Sequence, residues 1–91
     1  MPNLCKLVRY SGAVQGVGFR YTALRLAGGF DVSGYVKNLS GGDVELLAEG
    51  PENEVAGFLA AVRLRMGSYV ADVRQEESQS TGQWKGFTIR F

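Results

Sequence analysis

The segment from Gly12 to Arg20, GAVQGVGFR, has the composition of an anion-binding loop. Its three glycines lie between a predicted strand and a predicted helix, where they let several backbone N–H groups point into one concavity. Arg20 adds a planar guanidinium that can bond two oxygens of a tetrahedral dianion. The segment lacks the lysine and hydroxyl of a Walker loop and the spacing of a dinucleotide-binding loop. A plain glycine-rich turn followed by a solvated arginine fits the same residues, so both interpretations stay open at this point.

A second segment, from Gly34 to Asn38, ends a predicted strand with an asparagine. Asparagine at a strand end is most often a turn-forming residue. Its side-chain amide can also donate a hydrogen bond to a water molecule and accept one from it. Asn38 could therefore position a water molecule for catalysis only if it lies beside the glycine-rich segment. The residue types alone do not decide whether it does.

The composition excludes several kinds of chemistry. The chain has no histidine and a single cysteine, Cys5, which removes Ser-His-Asp and Cys-His nucleophiles and the imidazole base. A zinc site would have to be built mainly from carboxylates. A net charge of +1 gives no basic field for nucleic acid or an anionic membrane. Any catalysis must therefore work by positioning and electrostatics, or through a carboxylate.

The length and the cysteine count limit the organisation and the compartment. Ninety-one residues predict one domain, residues 1–91, with one core. The apolar runs are far shorter than the ~20 residues that cross a bilayer, and the first six residues do not resemble a signal peptide. Because one cysteine cannot form an intramolecular disulfide, a reducing cytoplasm is the expected location.

Hydrophobic periodicity predicts the elements that position these two segments. The order β-α-β-β-α-β with a short extra C-terminal strand indicates an α+β, ferredoxin-like sandwich with an antiparallel sheet and two helices on one face. This fold hosts many unrelated functions. The predicted strands cover 4–11, 32–39, 43–49, 69–76 and 87–91. The predicted helices begin at Phe19 and Pro51 and end before Gly28 and Gly67. Residues 77–83 are expected to be polar and mobile.

Together the two segments resemble the acylphosphatase family. The first matches its signature G-x-V-Q-G-V-x-F-R at every fixed position. The second, with Gly42, Val44 and Gly50, matches G-[aromatic]-[V/A]-[K/R]-N-x3-G-x-V-x5-G. Fourteen positions separate Arg20 from Gly34, as is usual in the family, and the resemblance covers the whole chain. The chain departs from the family's frequent Leu-Gly-Leu at Phe30-Asp31-Val32, where Asp31 is expected to tolerate a left-handed backbone.

The resemblance implies hydrolysis of acyl phosphates to a carboxylate and inorganic phosphate. Arg20 and the backbone amides of the loop would hold the phosphoryl group, and Asn38 would position the attacking water. No metal, cofactor or covalent intermediate is implied, inorganic phosphate or sulfate should compete, and a monomer is the expected state. The residues of the phosphate-binding loop would be Gln15, Gly16, Val17, Gly18, Phe19 and Arg20.

A different class of function stays open beside this one: a non-enzymatic ferredoxin-like module that binds an anion or a partner protein. The length argues against an accessory domain, and the aromatic residues do not form an RNA-recognition signature.

The remaining polar and aromatic residues have simpler interpretations. Cys5 is expected to be a strand residue, Trp84 a packing or loop-anchoring residue, Lys37 a solvated residue or a source of positive potential, and Glu45 and Glu49 members of a solvated face.

Overall fold

The computed structural model describes residues 3–91, which form five strands, two α-helices and one turn of 3-10 helix. Both predicted helices are present, and each ends at the predicted glycine. Acidic residues in the first turn of the second helix and basic residues in its last turn complement the helix dipole. The elements are β1 (Asn3–Gly12), α1 (Phe19–Ala27), β2 (Ser33–Asn38), β3 (Val44–Pro51), α2 (Glu52–Met66), the 3-10 turn (Gly67–Tyr69), β4 (Val70–Gln79) and β5 (Phe87–Arg90).

The strands form one sheet in the order β4-β1-β3-β2-β5, which confirms the ferredoxin-like arrangement. The first four strands are antiparallel, as predicted. The prediction of a wholly antiparallel sheet is wrong for β5, which runs parallel to β2 with Arg90 opposite Lys37. The chain reverses after β4 and crosses to the opposite edge of the sheet. A strand with that direction lies parallel to β2, so the sheet is mixed.

The core lies between the sheet and the two helices. Tyr10 packs its ring against Phe19, the first residue of α1, with 4.9 Å between ring centroids. Phe58 of α2 is fully buried and contacts the ring of Phe87 on β5, so α2 and the C-terminal strand share the core. Truncating such a buried aromatic side chain to alanine typically costs about 3–5 kcal/mol. The other buried residues on the helix side of the sheet include Val8, Val36, Val44, Leu46 and Ala48.

Three local predictions need correction. Pro51 is the N-cap of α2 rather than its first helical residue, because it still ends β3. β4 continues to Gln79 instead of stopping at residue 76, since Gln79 still pairs with Leu4 of β1. Asp31 does not adopt a left-handed backbone, because no residue other than glycine has a positive φ within residues 3–91. Its N–H instead donates to the carboxylate of Glu54 at 2.8 Å.

The connection from β4 to β5 crosses the face of the sheet opposite the helices. Glu49 holds it, because its carboxylate accepts hydrogen bonds from the N–H groups of Thr81 at 2.7 Å and Gly82 at 3.0 Å. Trp84 then packs against Tyr35, with 5.1 Å between ring centroids, and anchors the loop as expected. The prediction of a solvated Glu49 is therefore wrong: the residue is only 4% exposed.

Neither helix within residues 3–91 has the length and hydrophobicity that crossing a bilayer requires.

Two titratable groups on the open face of the sheet, the face opposite the helices, lower the stability of the fold at alkaline pH. Burial, followed by a hydrogen bond from the hydroxyl to Glu45, raises the pKa of Tyr35 from 10.0 to about 12. Burial and the nearby Glu49 carboxylate also raise the pKa of the Cys5 thiol. Between the unfolded and folded pKa values the folded state binds more protons, so the stabilisation present at neutral pH is lost as pH rises.

We expect the free energy of unfolding to fall as pH rises above about 9, by up to about 1.4 kcal/mol per pH unit for each such group. Urea denaturation at a series of pH values measures this slope. Tyr35→Phe should flatten it between pH 10 and 12, whereas Tyr69→Phe, at an exposed tyrosine, is the matched control. Equal slopes in the parent and in Tyr35→Phe would contradict the prediction.

Candidate active site

The loop between β1 and α1 is fixed to the core at two apolar residues. Val14 is completely buried, and Val17 packs against the edge of the core. Gly16 and Gly18 lie next to Val17 on either side, with φ angles of 80° and 77°. Other L-residues pay roughly 1–2 kcal/mol for this left-handed conformation, which explains why the loop uses glycine at both positions.

The backbone N–H groups of residues 15–20 are a second feature of this loop. Within residues 3–91, none of them donates to a protein acceptor, and the first such bond at the start of α1 runs from Thr22 to the carbonyl of Gly18 at 2.9 Å. N–H groups at a helix N-terminus lack intrahelical partners and carry the positive end of the helix dipole. The loop and the start of α1 therefore present a concentration of positive partial charge.

Arg20, in the first turn of α1, is half-buried and adds a full positive charge to this region. Its guanidinium carbon lies 4.8 Å from the centre of the Phe91 ring, in a cation–π arrangement. Among residues 3–91, no carboxylate forms an ion pair with Arg20. Its charge is thus not neutralised by a carboxylate in the described part of the protein, and its guanidinium lies over an aromatic ring.

Asn38 is the last residue of β2, at the start of the turn that leads to β3. The side-chain amide of Gln15 reaches this turn and donates to the carbonyls of Leu39 at 2.8 Å and Asp43 at 2.9 Å. The same Asp43 carbonyl accepts from the N–H of Leu39 at 2.8 Å and closes the turn. Gln15 therefore links the glycine-rich loop to the end of the strand that carries Asn38.

Sequence reasoning assigned Gln15 only to phosphate binding and missed this structural role of its side chain. Nothing in the local pattern could have revealed it, because the acceptor carbonyls lie 24 and 28 residues further along the chain. The side chain of Gln15 thus holds the loop against the turn that follows β2.

Phe91 was also missed by sequence reasoning, which treated it only as a strand residue. Arg90, the last residue of β5, pairs with Lys37, the residue before Asn38, and Phe91 follows Arg90 directly. The side chain of Phe91 is 92% exposed, so burial in the core does not account for its position. Its contact with Arg20 joins the C-terminal strand to the start of α1.

The open face beside β2 has charges that are internally paired. The ammonium of Lys37 lies 3.6 Å from the Glu45 carboxylate, and that carboxylate also accepts from the Tyr35 hydroxyl at 2.8 Å. Glu45 therefore offsets the positive potential that sequence reasoning allowed for Lys37. Cys5 is buried in β1, and burial raises the pKa of its thiol, which favours the unreactive protonated form. Its position fits the predicted role of a strand residue.

We expect Phe91→Ala to weaken inorganic phosphate binding by about two- to fivefold, the value of one exposed cation–π contact. The melting temperature should change little because the side chain is exposed. Isothermal titration with phosphate measures the affinity, and Phe91→Tyr, which keeps an aromatic ring, should restore it. Unchanged phosphate affinity in Phe91→Ala would show that the ring does not position Arg20.

Comparisons with known proteins agree with this fold. The sequence model of the family described as Acylphosphatase matches residues 6–89. An acylphosphatase of Thermotoga maritima is 41% identical over 85 residues, which cover 92% of this chain and 93% of that protein. The crystal structure of the Bacillus subtilis acylphosphatase aligns with a TM-score of 0.89 and 40% identity over 97% of this chain and 99% of that one. For the Coxiella burnetii acylphosphatase structure the TM-score is 0.85 at 33% identity, covering 98% and 94%.

These features define the class of protein: a ferredoxin-like sandwich with a glycine-rich loop before its first helix. The chain belongs to the acylphosphatase family. It is a hydrolase, so the alternative of a module without catalytic activity is not supported. Family and fold together support acyl phosphate hydrolysis as the reaction class.

Proposed function

We propose that this protein hydrolyses acyl phosphates by direct attack of water on phosphorus. The phosphoryl group binds to the backbone N–H groups of residues 15–20 and to the guanidinium of Arg20, and Asn38 orients the attacking water. The observation that carries the proposal is the set of loop N–H groups that find no protein acceptor among residues 3–91, next to a cation that has no carboxylate partner in the same residues. Gln15 supports it by linking this loop to the end of β2.

The chemistry matches a site without histidine. Water oxygen bonds to phosphorus while the bond from phosphorus to the acyl oxygen breaks, and its electron pair leaves with the carboxylate. A carboxylate with a pKa of about 4 is a weak base and needs no general acid. The proton released by the water passes to a phosphoryl oxygen, so an acyl phosphate dianion and water yield a carboxylate and dihydrogen phosphate.

Charge stabilisation supplies the rest of the catalysis. Negative charge on the equatorial phosphoryl oxygens is met by Arg20 and the N–H groups, which are held in place before the reaction begins. The amide of Asn38 accepts a hydrogen bond from the water and holds it in line with the leaving oxygen. The small-molecule partners proposed for the site are thus an acyl phosphate, with inorganic phosphate or sulfate as competing anions.

The direct test is hydrolysis of acetyl phosphate by the purified protein in the presence of a metal chelator, compared with a protein-free blank. We expect acceleration of acetyl phosphate hydrolysis and none of phenyl phosphate, whose leaving phenolate, with a pKa of about 10, requires an acid. Inorganic phosphate should inhibit competitively and raise the melting temperature, because it binds only the folded state. Phosphate binding without turnover would overturn the proposal and return the protein to the role of an anion-binding module.

A further inference from the structure

A cleft of about 270 Å³ lies between α2 and the β1–β4 side of the sheet, and no residue of the glycine-rich loop lines it. Its apolar wall comes from Leu59 and Ala60 of α2 and from Val73 of β4. The volume is just below the range of about 300–1,000 Å³ typical of small-molecule sites. A ligand of this cleft must therefore be small and partly apolar.

The polar groups of the cleft are suited to a negative ligand. Lys6, Arg63 and Gln75 each bring a hydrogen-bond donor to it, and none of the described residues that line it is a carboxylate. Lys6 is partly compensated, because its ammonium lies 3.7 Å from Glu77. Arg63 forms no ion pair within residues 3–91. About one positive charge is thus left over, which matches a monoanion.

Tyr10 provides an independent sign of a ligand. The residue is only 2% exposed, yet its hydroxyl has no hydrogen-bond partner among residues 3–91. The hydroxyl oxygen itself is not fully buried, because the described residues contain no fully buried side-chain oxygen or nitrogen that lacks a hydrogen-bond partner. Tyr10 lines the cleft, and packing against Phe19 fixes its ring. Its hydroxyl is therefore a fixed donor that opens to the cleft.

We propose that this cleft is a second binding site, separate from the glycine-rich loop, for a small organic carboxylate with an apolar body. Arg63 and the Tyr10 hydroxyl bind the carboxylate, and the apolar body lies against Leu59, Ala60 and Val73. Binding at this site involves no turnover, so the proposal can be tested independently of the proposed hydrolysis.

Benzoate is the probe, added to the ¹⁵N-labelled protein in saturating inorganic phosphate and followed by two-dimensional NMR. We expect saturable shifts at the amides of Tyr10, Arg63 and Val73, with a Kd on the order of 1 mM. Benzyl alcohol, which keeps the ring without the charge, and acetate, which keeps the charge without the ring, should each bind about fivefold more weakly or worse. Shifts confined to residues 13–20 and Asn38 would overturn the proposal, as would equal binding of benzyl alcohol.

Variants separate a built site from general attraction to a positive surface. Arg63→Gln should weaken benzoate about tenfold, and Tyr10→Phe, which keeps the ring in the core, about threefold. Arg65→Gln removes the same charge from the same end of α2 at an exposed residue that does not line the cleft, so it should weaken benzoate by less than about twofold. Equal effects of Arg63→Gln and Arg65→Gln would overturn the proposed site.

Discussion

Asn38→Ala should yield a folded protein that binds phosphate normally and hydrolyses acyl phosphate at least ~10²-fold more slowly. The reason is that Arg20 and the loop N–H groups still hold the anion, while the water loses the group that orients it. No histidine is present in the chain to take over this task. Turnover of acetyl phosphate, phosphate affinity and melting temperature measured on one preparation test the prediction.

Asn53→Ala is the matched control for this variant, because it makes the same change at an exposed position in the first turn of α2. It should leave turnover unchanged. If Asn38 only shaped the turn before β3, its replacement would lower the free energy of unfolding by about 1 kcal/mol and leave turnover nearly intact. That result would remove Asn38 from the chemistry.

Arg20→Lys should reduce both phosphate affinity and turnover, with a fall in kcat/KM on the order of 10²-fold. Lysine keeps the positive charge but loses the two-pronged guanidinium geometry and the guanidinium contact with the Phe91 ring. The variant should stay folded, since Arg20 is only half-buried and has no ion-pair partner in the described residues. Steady-state kinetics and phosphate titration give the two quantities.

Arg25→Lys makes the same replacement in the last turn of the same helix, at an exposed residue. It controls for effects on the helix itself and should leave kcat/KM within about twofold of the parent. Near-normal turnover in Arg20→Lys would mean that a positive charge alone suffices at this position. It would contradict the proposal that the guanidinium binds two phosphoryl oxygens at once.

The sequence allowed the fold to be predicted because its local signals and its hydrophobic pattern agree. Glycines end both helices, and alternating residues mark the buried side of β3. The direction of β5 was not predictable in this way, because a strand of four residues does not indicate its partner. Its pairing depends on the crossing of the sheet by residues 80–86, which is a tertiary feature.

The same limit explains what was missed around the candidate site. Strand alternation correctly places Glu49 on the face away from the helices, but its burial depends on Thr81 and Gly82, more than 30 residues away. The side-chain bonds of Gln15 and the contact between Arg20 and Phe91 are likewise long-range. The two motifs predicted which residues to consider, and only the folded chain shows which structural contacts support them.

Hydrolysis of acetyl phosphate in water enriched with ¹⁸O, followed by mass spectrometry of both products, tests the central claim most directly. Direct attack on phosphorus, with the phosphoryl group held by the loop and Arg20, places one ¹⁸O atom in the inorganic phosphate and none in the acetate. Label in the acetate would show that water attacks the carbonyl carbon instead, and would contradict a site built to stabilise charge on the phosphoryl oxygens.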